Sequence, residues 1–171
     1  MAGYGLDKKY HLSNVLEKSL NKKGLKVKVI NASVSGDTSA GGLNRIAWTI
    51  SEKNIDIILL CLGANDMLRG ISPNETEKNL EEIIIKILNK KIQIVIAGMI
   101  APESHGKDYK NEFDKIFKSL SVKYEMDFIP FLLDGVALNP DLNLDDGMHP
   151  NEKGVIVISK NIEKKLLSIL D

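Results

Sequence analysis

Disulfides, membrane spans and a charge imbalance are all missing from this 171-residue chain, and each absence narrows its function. It has one cysteine, Cys61, so no disulfide framework within the chain can staple the fold. That residue sits in the apolar run IDIILLCLG and reads as a small buried hydrophobe. The longest apolar runs, around residues 55–64 and 92–101, reach about half the length of a membrane span. Lys+Arg and Asp+Glu stand at 23 each, so no excess of one sign points to nucleic acid or an anionic membrane. With three histidines and no closely spaced ligand pair, the sequence offers no metal site, and no cofactor is expected. Internal repeats, low-complexity tracts and linkers are also lacking, so one domain is expected over residues 1–171.

What is present is an alternation of two periodicities. Four runs rich in β-branched residues read as strands buried on both faces: 27–34 (VKVINASV), 55–63, 92–100 (IQIVIAGMI) and 128–133 (FIPFLL). Between them, apolar residues recur at helical spacing. Leu12, Val15, Leu16 and Leu20 form one stripe, and Leu80, Ile83, Ile84, Ile87 and Leu88 a second. Phe113, Ile116, Phe117 and Leu120 give a third, and Ile158, Ile162, Leu166 and Ile169 a fourth. A further helix is expected from about Ser39 to Lys53. The order α-β-α-β-α-β-α-β-α predicts an α/β fold with a parallel sheet sandwiched by helices in three layers. Such sheets usually begin with a strand that lies centrally, whereas this chain begins at the loop AGYGL that such a strand would feed.

In open parallel sheets ligands bind beyond the carboxyl ends of the strands, so the residues just after each run carry the most information. SVSGDTSAGG follows the first run, LGANDMLRG the second, IAPESHGKDY the third, and LNLDDGMHPNEKG precedes the last helix. Taken singly, Gly36 reads as a helix-entry turn, Asn65 as a left-handed turn residue, and Asp146 with His149 as a chance spacing. GDTSAGG lacks the Gly-Lys-Ser/Thr ending of a phosphate loop. Taken together, the four residues are the parts of an acyl-transfer site. An aspartate three residues before a histidine can fix its tautomer while the histidine accepts a hydroxyl proton. A backbone N–H at Gly36 and the amide of Asn65 are the two donor types that an oxyanion hole uses. The nucleophile is the one part not found.

On these blocks the chain resembles the Ser-Gly-Asn-His hydrolases, the GDSL family, and within it the bacterial acyl-CoA thioesterase, lysophospholipase and arylesterase group. NASVSGDTS resembles the block with the oxyanion glycine, LGANDMLRG the block with the oxyanion asparagine, and DDGMHP the block with the acid and base. The resemblance implies a flavodoxin-like three-layer parallel sheet, with Gly36 and Asn65 as oxyanion donors and Asp146 and His149 completing a triad. It implies hydrolysis of small acyl esters, thioesters or lysophospholipids through an acyl-enzyme, without cofactor, nucleic-acid partner or stable membrane insertion, by a monomer. AGYGL matches the tail of the family's Gly-Asp-Ser-Leu block, which places the nucleophilic serine two positions upstream of Met1 and the central first strand before it. By that alignment the chain is N-terminally truncated, inactive or nearly so, and expected to fold poorly alone. The family's habit of a secretory signal implies a periplasmic full-length protein, and a cytoplasmic one if Met1 is the true start. A relative that binds acyl or glycan ligands without turnover, and a flavodoxin-like binding module, are the rival expectations.

Overall fold

The computed structural model describes residues 2–51 and 54–170, and these fall into two compact units. One unit runs from Gly36 to Phe131; the other joins the residues up to Ser35 with those from Leu132 onward.

The Gly36–Phe131 unit is a parallel α/β structure. Its strands β1 (Ile57–Leu60), β2 (Gln93–Ala97) and β3 (Asp127–Ile129) pair in the order β1-β2-β3. Ile58 stands opposite Ile94, and Ile96 opposite Phe128. β2 has neighbours on both sides, and Ile94, Val95, Ile96 and Ala97 are all buried, as the continuous apolar run predicts. The parallel pairing requires crossovers, and helices supply them: α3 (Ala64–Leu68) and α4 (Pro73–Leu88) between β1 and β2, and α5 (Lys107–Lys123) between β2 and β3, while α2 (Ser39–Thr49) precedes β1. Helix α4 starts where Ser72 caps the Glu75 N–H at 3.2 Å and Pro73 takes a position whose N–H needs no partner. Its stripe of Leu80, Ile83, Ile84 and Ile87 is fully buried, each side chain contributing about 1.5–3 kcal/mol. It packs beside α2 and α5, whose Ile46, Phe113, Ile116, Phe117 and Leu120 complete the core. β3 is shorter than expected because Pro130 has no N–H to extend the ladder. The chain closes tightly there, for a Cβ on Gly98 would lie 2.4 Å from the Pro130 carbonyl oxygen.

In the other unit, α1 (Leu12–Lys22) packs against α6 (Glu152–Leu170). Leu12, Leu16 and Leu20 are buried on the first, and Val155, Ile158, Ile162 and Leu166 on the second. A buried Glu163 accepts the Ser19 hydroxyl and pairs with Lys23 at 3.2 Å, so its charge is compensated within the helix pair.

The sequence expectation fails at 27–34. The segment carries no strand pairing, although Leu25, Val27 and Val29 are half-buried while Lys26, Lys28 and Ile30 are exposed, an alternation proper to a strand. Helix α1 takes several of its backbone groups instead. The Val29 N–H donates to Glu17 at 2.6 Å, and Asn21 bonds both the N–H and the carbonyl of Val27 at 3.0 and 2.9 Å. Helix α2 stops at Thr49, short of the expected Lys53: Ile50 and Ser51 form a turn, and residues 52–53 lie outside the described ones.

Candidate active site

The loop before α6 brings Asp146 and His149 together as the three-residue spacing suggests. Asp146 Oδ1 accepts the backbone N–H groups of Met148 and His149, each at 2.9 Å, and Oδ2 lies 2.7 Å from His149 Nδ1. One carboxylate thus shapes the turn and grips the imidazole. The backbone and ring bonds from His149, with the N–H of Met148, hold the Asp146 carboxyl at about 2, below its ordinary 3.8. With that carboxylate ionised, Nδ1 carries the proton and donates, leaving the Nε2 lone pair free. An antiparallel bridge between Asn143 and Pro150 closes the loop, and Leu144 N–H donates to His149 O at 2.7 Å.

The ring of Tyr4 lies 4.6 Å from that of His149, centroid to centroid, tilted by 34°. Sequence reasoning gave Tyr4 no role, and nothing local signals it, since the two residues stand at opposite ends of the chain.

The Gly36–Phe131 unit holds the other candidate group. Gly36 has φ +74°, a conformation that glycine adopts without strain. Its turn leads into α2, capped by the Thr38 hydroxyl on the Gly41 N–H at 3.2 Å. Gly63, at φ +107°, forms the N-cap of α3, whose side chains reach back to the Gly36 turn. Asn65 Nδ2 donates to Asp37 O at 2.8 Å, and one turn later Arg69 donates to Gly36 O at 2.7 Å. Between them the fully buried Asp66 accepts the Ser39 N–H at 2.8 Å and the Ser39 hydroxyl. Thr76 also approaches Asp66 at 3.4 Å, and Asn79 donates to Ser39 Oγ at 3.0 Å. Asp66 therefore does more than brace its own loop: it ties the start of α2 to α3. An Asn side chain has two amide N–H donors, so the bond to Asp37 leaves Asn65 one for a ligand.

A second brace comes from the segment after β2. His105 Nε2 contacts Met67 O at 2.9 Å, and the Tyr109 hydroxyl donates to Ile71 O at 2.8 Å. His105 is therefore a half-buried strut. His11 lies 3.3 Å from Leu6 O through Nε2. The serines near the glycine block divide: Ser39 is buried and committed to Asp66, while Ser33 and Ser35 are exposed, as is Ser104 in the segment after β2. Among the described residues no hydroxyl is bonded to His149 and no group of three metal-ligating side chains comes together. Likewise, no helix is long and apolar enough to cross a membrane.

Comparison with known proteins decides the family, because residues 1–155 match the GDSL-like lipase/acylhydrolase family. The chain belongs to it. An arylesterase of Vibrio mimicus is 32% identical over 169 residues, covering 99% of this chain and 84% of the relative. The thioesterase 1/protease 1/lysophospholipase L1 of Escherichia coli is 32% identical over 85% of this chain and 70% of its own. A crystal structure of TesA superposes with a TM-score of 0.92 at 30% identity, covering 98% of this chain and 93% of that one. The esterase AlinE4, of the SGNH-hydrolase family, superposes at 0.82 with 39% identity, covering 99% and 91%. The GDSL-like hydrolase fold and hydrolysis of carboxylic esters follow from this membership.

Proposed function

We propose that this GDSL-family chain carries the acid–base and oxyanion groups of a serine esterase or thioesterase. His149 is the general base, Asp146 its orienting partner, and the Gly36 N–H and the Asn65 amide the oxyanion donors. The observation that carries this reading is the double grip of Asp146 on His149, which directs Nδ1 inward and frees Nε2 for proton transfer. The nucleophile is a serine on a segment preceding Met1. Two features support that assignment: among the described residues no serine is bonded to His149, and 27–34 has strand-like alternation without strand pairing.

The chemistry runs in two halves. Nε2 takes the serine proton as the serine oxygen bonds to the acyl carbon, and the carbonyl π electrons move onto oxygen. The resulting oxyanion accepts hydrogen bonds from Gly36 and Asn65, a contribution of about 10²–10³ in rate per donor. Collapse expels the alcohol or thiol, which receives the proton from Nε2. Water then repeats the sequence on the acyl-enzyme and releases the carboxylic acid. The substrates are small acyl esters, arylesters, acyl-thioesters or lysophospholipids, in keeping with the names of the relatives.

The test is fluorophosphonate labelling of the protein purified from its native source, followed by peptide mapping and intact mass. Label on a serine upstream of Met1, lost on His149→Ala, is the expected result. Label on Ser33, Ser35 or Ser104 would move the nucleophile into this chain. The absence of label on a protein that is folded would leave a non-hydrolytic relative.

A further inference from the structure

The chain has two arginines, and they are treated differently. Arg45 is neutralised, its Nε lying 2.7 Å from Asp37 Oδ2. Arg69 has no carboxylate partner among the described residues, and its one bond there is to a backbone oxygen, Gly36 O at 2.7 Å. The two nearby carboxylates are already spent, Asp37 on Arg45 and Asp66 on Ser39. Arg69 is exposed, so most of its N–H fork and its whole charge face solvent.

The position of this cation is fixed from several directions. Its backbone follows α3 and is pinned on either side, by His105 at Met67 O and by Tyr109 at Ile71 O. Its guanidinium crosses the Gly36 turn closely enough that a Cβ at Gly36 would lie 3.6 Å from Nη2. The free face of the fork therefore stands within one residue's backbone of the Gly36 N–H and one helical turn from Asn65. An uncompensated planar guanidinium in such a place recognises phosphate or carboxylate oxygens.

We propose that Arg69 is a specificity-determining residue, selecting acyl substrates that carry an anionic group, phosphate or carboxylate, close to the scissile carbonyl. The inference rests on the reading of Gly36 and Asn65 as oxyanion donors, and extends it from the reacting carbonyl to a neighbouring anion. No carboxylate must be displaced for the ligand to enter, so binding costs only the hydration of an exposed arginine. The contribution is electrostatic and exposed, hence screened by salt within about 8 Å at physiological ionic strength.

The experiment uses the isotope-labelled chain and reads the Gly36 backbone amide and the Asn65 side-chain amide by NMR. Three probes are titrated: hexylphosphonate, its uncharged dimethyl ester, and inorganic phosphate. The expected result is hexylphosphonate binding about tenfold tighter than the diester, the size of one charge-assisted contact. That ratio should fall to about one in Arg69→Gln and recover in part in Arg69→Lys, which keeps charge without the planar fork. Loss of the Gly36 anchor would weaken both ligands and cancel in the ratio. An unchanged ratio in Arg69→Gln overturns the proposal while leaving the oxyanion pair in place, since Gly36 and Asn65 would then hold the anion alone. Inorganic phosphate binding as tightly as hexylphosphonate overturns it too, for the site would serve a free anion. If no probe moves either amide, the proposal and the oxyanion reading fall together.

Discussion

Asp66 accepts both the backbone N–H and the hydroxyl of Ser39, and so fastens the first turn of α2 to α3 from a site with no solvent contact. Gly36 and Asn65 lie just outside this knot, so their relative position depends on it. Asp66→Ala leaves the N–H and hydroxyl of Ser39 buried without their acceptor, at about 1–3 kcal/mol for each unsatisfied group, while the Thr76 hydroxyl keeps Ser72 O at 3.2 Å. The variant should lose about 3 kcal/mol or more in urea denaturation, whereas Ser39→Ala should lose about 1 kcal/mol. Equal losses from the two would show that the carboxylate is not the hub.

For Asp146 the sign of the pH dependence is fixed by the direction of its shift. Its folded-state pKa of about 2 lies below the ordinary 3.8, so the stability it contributes is present above 3.8 and is lost as pH falls through about 2. The carboxyl carbon of Asp146 should titrate in NMR with a midpoint near 2, and the loop should keep its shape at pH 3. A midpoint near 4 would mean that the grip on His149 is not maintained in solution. Asp146→Asn gives a companion measurement. Its amide can donate as well as accept, so the ring nitrogen shifts of His149 should show the Nδ1–H tautomer losing its dominance.

The parts of this molecule that could be read in advance are those set by neighbours in sequence. The stripe Leu80, Ile83, Ile84, Ile87 is a property of one helix, and all four residues are buried in α4. Asp146 and His149 share one loop, so their spacing alone brought them within bonding distance. Segment 27–34 has the composition of a strand, yet pairing needs a partner and α1 side chains occupy its backbone groups. Arg69 on Gly36, Asp66 on Ser39 and Tyr4 on His149 each join residues far apart in the chain. No periodicity records such contacts, and only the folded chain supplies them.

At Gly36 space and backbone conformation make opposite demands, which gives a clean test. An added Cβ would meet only Arg69 Nη2 at 3.6 Å, an ordinary contact. The positive φ of +74°, however, costs an L-residue about 1–2 kcal/mol. Gly36→Ala should therefore lower stability by about that amount in urea denaturation, and the Gly36 turn should move relative to Asn65. A variant of unchanged stability and unchanged amide shifts would mean that the turn does not hold its left-handed conformation in solution.

Cys61 stands between β1 and the Asn65 helix, at a strand end where a nucleophile would be well placed, so its chemistry bears on the function. Cys61 is half-buried where the sequence reads it as buried, and its desolvation pushes the thiol up to about 11 from an ordinary 9.0. The thiolate is the reactive form, so at pH 8 only about one molecule in a thousand is competent to attack. Iodoacetamide should alkylate the folded chain about a hundredfold more slowly than free cysteine, with the rate climbing toward pH 11. Cys61→Ala should leave ester hydrolysis unchanged in any form of the protein that shows it. Rapid alkylation at pH 8, together with loss of hydrolysis in Cys61→Ala, would replace the serine mechanism with a thiol one. The raised pKa argues against that outcome, because a cysteine serving as a nucleophile needs its thiol lowered by a nearby cation or helix N-terminus.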